Sequence, residues 1–190
     1  MDYLCYRLNE VLKLALDVSV LTQEERELPL SRRMARALLR HEIARRVGIA
    51  AADVCFTQNE HGKPLTQGVH FNISHSGDYL CMAFHHAPIG IDIQQKRSNA
   101  LISKLAPRIM GAEQLQRFRS QGEPPEVFFT CWSIAESLIK LHGATIWKAL
   151  DYPFVLNHGR VDVMGDTSIA VELFQPHSDY CGAVAYRLSS

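Results

Sequence analysis

Residues 79–93 read YLCMAFHHAPIGIDI, and the fold turns on how this stretch is parsed. Residues 79–84 and 89–93 carry the apolar, aromatic and β-branched side chains that strands favour. His85, His86, Ala87 and Pro88 between them form a connection of hairpin length. Strand alternation puts Gly90, Asp92 and Gln94 on one face and Ile89, Ile91 and Ile93 on the other. Asp92 is the anomaly. A carboxylate set among isoleucines either faces water or must be paired, hydrogen-bonded or metal-bound.

Upstream, residues 31–47 have helical character, with Met34, Leu38 and Ile43 at apolar positions and Gly48 as the stop. Arg32, Arg33, Arg36, Arg40, Arg45 and Arg46 stud the other faces against a single acid, Glu42. They form either a solvated face or a local cationic excess that an anionic ligand can use. Thr22 and Glu25 have capping-box spacing for a short helix that Pro29 interrupts. Downstream, a polar-rich loop and a helix are expected over 98–119, and a second helix over 126–142, begun after Pro125 and stopped at Gly143. The rest reads as strands at 153–157, 160–164, 168–174 and 181–186, with a turn at Asn157, His158 and Gly159. Helices precede strands in each half. That order predicts an α+β fold of two similar, pseudo-symmetric lobes, 1–88 and 89–190, rather than alternating βαβ units.

The 190 residues include 20 Lys+Arg and 20 Asp+Glu, with 47% hydrophobic side chains, a globular composition. Residues 1–90 hold ten basic and ten acidic side chains, and residues 91–190 hold the same numbers. Without a broad basic field for counterion release, a nucleic-acid partner is not expected. The uncharged run 79–91 is broken by histidines and Pro88 and falls short of the ~20 apolar residues of a membrane helix. The opening MDYLCYRLNE lacks the layout of a secretory signal. Cys5, Cys55, Cys81, Cys131 and Cys181 are odd in number and never in CxxC spacing. They are expected to be small buried hydrophobes rather than a disulfide framework or zinc site, in a cytoplasmic protein.

Trp132, Glu136 and Lys140 recur at four-residue steps and so share one stripe of the 126–142 helix. Glu136 and Lys140 form either an exposed ion pair or a site where the carboxylate holds a hard cation and the ammonium its anion. Asp92, Gln94 and Glu136 together make an oxygen-rich set suited to Mg²⁺, which takes one or two carboxylates and completes its shell with water and phosphate. No HExxH occurs among the nine histidines. Asn72-Ile73-Ser74-His75-Ser76-Gly77 offers small residues and an imidazole where backbone N–H groups can approach a phosphate. A Ser-His hydrolase is the competing reading, but extended neighbours point apart and no GxSxG elbow is present. Gly62-Lys63-Pro64 is a tight turn bearing a cation.

In this order, GKP at 62–64, FNISHSG at 71–77, IGIDI at 89–93 and Trp132-Ser-Ile-Ala-Glu136-Ser-Leu-Ile-Lys140 resemble the 4′-phosphopantetheinyl transferases, in particular the larger bacterial type that activates peptide and polyketide synthetases. The resemblance implies two pseudo-symmetric α+β lobes with coenzyme A in the cleft between them. It implies Mg²⁺ on Asp92 and Glu136, with Gln94 in the metal shell. Coenzyme A contacts are implied at Lys63, Pro64, Ser74, His75, Lys140 and Arg36, with Arg32 or Arg33 as helpers. Asp92, Glu136 and Lys140 are the implied catalytic set. The implied partner is an apo acyl or peptidyl carrier protein whose serine receives the phosphopantetheine arm, and the enzyme is expected to be a monomer.

Two positions depart from the family pattern. Gln94 stands where larger members usually carry Glu, which removes a negative charge from the metal site. Ala135 stands where Lys is common. These departures leave a non-catalytic coenzyme A- or carrier-binding homologue as an alternative, beside a Mg²⁺-dependent nucleotide phosphohydrolase.

Overall fold

A computed structural model describes residues 1–97 and 101–188, so the first residues of the expected 98–119 segment lie outside the described ones. In chain order the elements are β1 (Asp2–Arg7), α1 (Leu8–Val11), α2 (Gln23–Arg26), α3 (Leu30–Val47), β2 (Thr57–Gln58), β3 (Pro64–Leu65), β4 (His70–Ser76), β5 (Tyr79–His85) and β6 (Ile89–Gln95). There follow α4 (Ile102–Leu105), α5 (Ala112–Ser120), α6 (Pro125–His142), β7 (Phe154–Asn157), β8 (Arg160–Val163), β9 (Ile169–Phe174) and β10 (Tyr180–Arg187). The fold is α+β.

Two three-stranded antiparallel sheets carry the architecture, ordered β1-β5-β4 and β6-β10-β9, while β2-β3 and β7-β8 form small hairpins. Each large sheet thus runs first–last–middle in chain order, with one 18-residue helix between its first strand and the next two.

Three cores explain the stacking. Met34, Leu38, Leu39 and Ile43 of α3 pack with Phe71, Leu80, Met82 and Phe84 of the first sheet. The other face of β5, at Tyr79, Cys81 and Ala83, meets Ile89, Ile91, Ile93, Tyr180 and Val184 of the second sheet. Beyond it, Phe128, Cys131, Ile134 and Leu138 of α6 pack with Ala183, Ala185 and Ile169. β6 is therefore buried on both faces, which is why its isoleucines alternate with Gly90 and Asp92 rather than with solvent-facing residues.

The expected hairpin between 79–84 and 89–93 does not form. β5 is already flanked by β1 and β4 and has no free edge, so the chain crosses at Ala87 and Pro88 into the second sheet, where β6 pairs with β10. The expectation that all cysteines are unpaired is also corrected. Cys5 and Cys81 oppose each other directly in the β1–β5 ladder, with Cα atoms 4.2 Å apart, and are joined as a disulfide. That partner came from a strand that the sequence did not reveal.

Edge strand β6 leaves a row of buried N–H groups facing β4, and these need acceptors. Asn72 Oδ1 accepts from Ile91 N at 2.9 Å, Ser74 Oγ from Ile93 N at 3.3 Å and Ser76 Oγ from Gln95 N at 3.0 Å. The polar alternation of Asn72-x-Ser74-x-Ser76 is a side-chain ladder that docks one sheet on the edge of the other.

Candidate functional site

Gly90 sets the depth of the site. A Cβ there would collide with the Ser137 carbonyl oxygen and the Leu141 nitrogen, so only glycine lets α6 lie directly on β6. The small side chains of Ser133 and Ser137, both fully buried, continue that close contact along the helix. With the backbones this near, Lys140 reaches across to β6. Its Nζ donates to Asp92 Oδ1 at 2.6 Å, to Ser74 Oγ at 3.2 Å and to Ile91 O at 3.2 Å.

Asp92 is 2% exposed, which settles the choice between water and a partner in favour of the partner. Besides Lys140, its Oδ1 accepts from Ser74 Oγ at 2.9 Å, and its Oδ2 accepts from Gln94 Nε2 at 2.8 Å. Gln94 thus turns its amide nitrogen to the carboxylate, and its Oε1 has no hydrogen bond among the described residues. Glu136 lies one helical turn before Lys140, half-buried. Desolvation pushes its carboxyl above the usual range, with the charge of Asp92 adding to the rise and Lys140 opposing it. Asp92, Ser74, Gln94 and Lys140 therefore join in one hydrogen-bonded centre between β4, β6 and α6, with Glu136 one helical turn from Lys140.

Among the described residues no cluster of three His, Cys, Asp or Glu side chains forms. The donor chemistry nonetheless fits Mg²⁺ rather than zinc. It is oxygen only, it offers two carboxylates, and a hard octahedral ion bound through so few protein ligands draws the rest from water and substrate phosphate.

A second region is a cavity of about 900 Å³, lined by Arg36, Arg40, Phe56 and Pro64 and also by the acids Glu24 and Glu25. The Arg36 guanidinium stands 5.9 Å from the Phe56 ring centre. Arg40, expected among the outward arginines, is instead 4% exposed: it donates to Glu25 Oε2 at 2.9 and 3.1 Å and to Val54 O at 2.5 Å. Arg46 is taken up by Asp2 and Glu42. His75 is exposed, on the face of β4 opposite Ser74, and its imidazole makes no hydrogen bond among the described residues. Ala135 is 1% exposed within the α6 core, so that departure from the family pattern is a packing residue here.

Lys63 is placed differently from a phosphate anchor. Its Nζ donates to Ile89 O at 3.0 Å, to Leu141 O at 3.5 Å and to Lys140 O. Sequence reasoning also missed Asn59, whose role needs a partner 84 residues away, and a cavity of about 380 Å³ beside Glu136 lined by Trp132, Trp147, Leu150 and Arg108. The 78% exposure of Trp147 has no signature in a single sequence.

The fold and site define an α+β protein with a buried carboxylate–lysine centre and an arginine-bearing cleft. Comparison with known proteins gives that class its family. The model of the 4′-phosphopantetheinyl transferase superfamily matches residues 88–185, and the N-terminal model of a 4′-phosphopantetheinyl transferase matches residues 18–87. The chain belongs to the 4′-phosphopantetheinyl transferase superfamily. It is 33% identical over 146 residues to 4′-phosphopantetheinyl transferase Sfp of Bacillus subtilis (strain 168), covering 74% of this chain and 62% of that protein. It is 36% identical over 118 residues to 4′-phosphopantetheinyl transferase psf-1 of Bacillus pumilus, covering 60% and 50%. With HetI of Nostoc sp. (strain PCC 7120 / SAG 25.82 / UTEX 2576), identity is 29% over 122 residues, covering 60% and 52%. The chain spans between about half and 62% of the length of these relatives. Among the described residues, no helix is long and apolar enough to cross a membrane.

Proposed function

We propose that the protein transfers the 4′-phosphopantetheine arm of coenzyme A to a serine of an acyl or peptidyl carrier protein in a Mg²⁺-dependent reaction. The observation that carries this reading is the joining of Asp92, Ser74 and Lys140 in one hydrogen-bonded centre beside Glu136. The relatives' printed names support the reaction class. The two lobes, 1–88 and 89–190, meet at this centre.

The serine Oγ–phosphorus bond forms at the β-phosphorus of coenzyme A, and the bond to the bridging oxygen breaks. Adenosine 3′,5′-bisphosphate leaves with that oxygen. Asp92 and Glu136, with Gln94 Oε1, would hold Mg²⁺, which when bound would supply charge neutralisation on the pyrophosphate. Lys140, whose three N–H groups are held by Asp92, Ser74 and the Ile91 carbonyl, acts on the same developing charge through its field rather than through a hydrogen bond of its own. Glu136 takes the serine proton at its carboxylate.

Arg36 and the Pro64 wall of the large cavity hold the nucleotide end of coenzyme A, and the exposed His75 adds a contact to it. Charge-assisted bonds to phosphate there contribute about 1.5–3 kcal/mol each. The carrier approaches through the Trp132, Trp147 and Leu150 cavity, since it opens on Glu136 and carries the cation Arg108. We place the reaction in the cytoplasm.

Bisphosphate release tests this reading. Protein, Mg²⁺ and coenzyme A are expected to release adenosine 3′,5′-bisphosphate only when an apo-carrier is added. Release without carrier assigns the chain to phosphohydrolases instead, and no release with several carriers assigns it to non-catalytic homologues.

A further inference from the structure

Helix α6 carries Glu136 and Lys140 one turn apart, and its last turn is held from outside. A helix leaves its final carbonyl groups without intrahelical partners. In α6, Ala144 N bonds to Ile139 O at 3.0 Å and Gly143 N to Lys140 O at 3.3 Å, as the chain leaves through the left-handed Gly143. A turn about eighty residues upstream supplies further donors to this end. Asn59 Nδ2 donates to Gly143 O at 3.4 Å, and Lys63 Nζ donates to Lys140 O and Leu141 O. The third Lys63 bond goes to Ile89 O, at the start of β6, so one ammonium clamps the helix end to the strand that bears Asp92.

An ammonium has three N–H donors, and all three are engaged by backbone carbonyls. The turn that carries them is itself closed. Asn59 Oδ1 accepts from His61 N at 3.0 Å and Lys63 N at 2.8 Å, and Asn59 N donates to Lys63 O at 3.0 Å. A cation at a helix C-terminus also complements the helix dipole.

We infer that Lys63 is a positioning residue: with Asn59 it caps α6 and fixes Lys140 and Glu136 over Asp92, rather than binding phosphate of coenzyme A. The next residue, Pro64, lines the arginine-bearing cavity, so a single rigid turn links the cofactor cleft to the reacting centre. This inference rests on the transferase reading for its kinetic arm, but its structural arm does not.

The test compares Lys63→Met, Lys63→Arg and Asn59→Asp with the parent. Asn59→Asp keeps the turn acceptor but replaces the Gly143 donor with a negative charge. Positioning predicts that kcat falls roughly 30- to 100-fold in Lys63→Met, the scale of a small misplacement of reacting groups. KM for coenzyme A stays within about twofold, Lys63→Arg restores most of kcat, and Asn59→Asp shows the same split. A KM raised tenfold or more at unchanged kcat, or no change in either constant, overturns the inference. Amide exchange at Gly143 and Ala144 decides independently of activity. It is expected to accelerate about tenfold or more in each impaired variant that folds, and unchanged protection overturns the cap even if the parent transfers nothing.

Discussion

Arg40 on α3 and Lys140 on α6 each hold a carboxylate, Glu25 at 2.9 Å and Asp92 at 2.6 Å, but the two pairs have different surroundings. Arg40 and Glu25 are joined by bidentate contact to one oxygen, Arg40 also reaches the Val54 carbonyl, and Glu25 accepts from Thr22 N at 3.1 Å to cap α2. That pair fastens α2 to α3. In the second pair the acid is deeper, at 3% side-chain exposure, whereas the lysine remains 27% exposed and a second, desolvated carboxylate stands beside it. Similar ionic chemistry fastens two helices in the first pair and stands beside a desolvated acid in the second. What separates them is the neighbouring Glu136, and the variants below act on that difference.

Asp92→Asn has the largest expected effect. It keeps the shape and the Gln94 and Ser74 neighbours, so turnover is expected to fall by roughly 10³-fold or more with circular dichroism unchanged. Arg40→Met reverses the balance. Leaving Glu25 without its cation is expected to lower stability by about 3 kcal/mol in urea unfolding. If Asp92→Asn costs mostly stability, the second pair is a strut like the first.

Gly90→Ala tests the close helix–strand approach. The added methyl meets the Ser137 carbonyl and forces α6 outward, at about 1–3 kcal/mol of stability. A parallel loss of activity of roughly tenfold or more is expected from the displaced Lys140. Parent-like activity at parent-like stability would show that α6 need not lie so close.

Glu136→Gln probes the desolvated acid. Glu136 keeps its proton in the fold to higher pH than in the unfolded chain. Folding stability therefore falls as pH rises from the unfolded value toward the raised folded one, and the deficit persists at neutral pH. The variant is expected to melt higher than the parent at neutral pH without divalent ions, to show no such gain below about pH 4, and to lose transfer. The smallest effect is expected from Gln94→Glu, which should lower the half-saturating Mg²⁺ concentration by roughly threefold to tenfold through the added charge. Identical Mg²⁺ titrations would remove Gln94 from the metal shell.

Local chemistry made the helices readable: the Thr22–Glu25 capping box, the Gly48 and Gly143 stops and the apolar spacing of α3 recur in the structure at those residues. The Glu136–Lys140 stripe and the odd placement of Asp92 were readable for the same reason, as each is a statement about neighbours in sequence. Pairing was not. Strand β1 has a weak pattern, so neither the occupied edges of β5 nor the Cys5–Cys81 contact was visible. The serines of β4 suggested phosphate because nothing in their own segment shows the buried N–H row of β6. Lys63 likewise carries a family expectation as a cation, whereas its carbonyl partners lie up to 78 residues away.

Mass spectrometry of an apo-carrier incubated with the protein, coenzyme A and Mg²⁺ tests the central claim most directly. Transfer predicts that the carrier gains the mass of one phosphopantetheine on its acceptor serine, that a Ser→Ala carrier gains none, and that chelating the Mg²⁺ stops the gain. A carrier mass that stays constant, across fatty-acid, polyketide and peptide carriers alike, would contradict it.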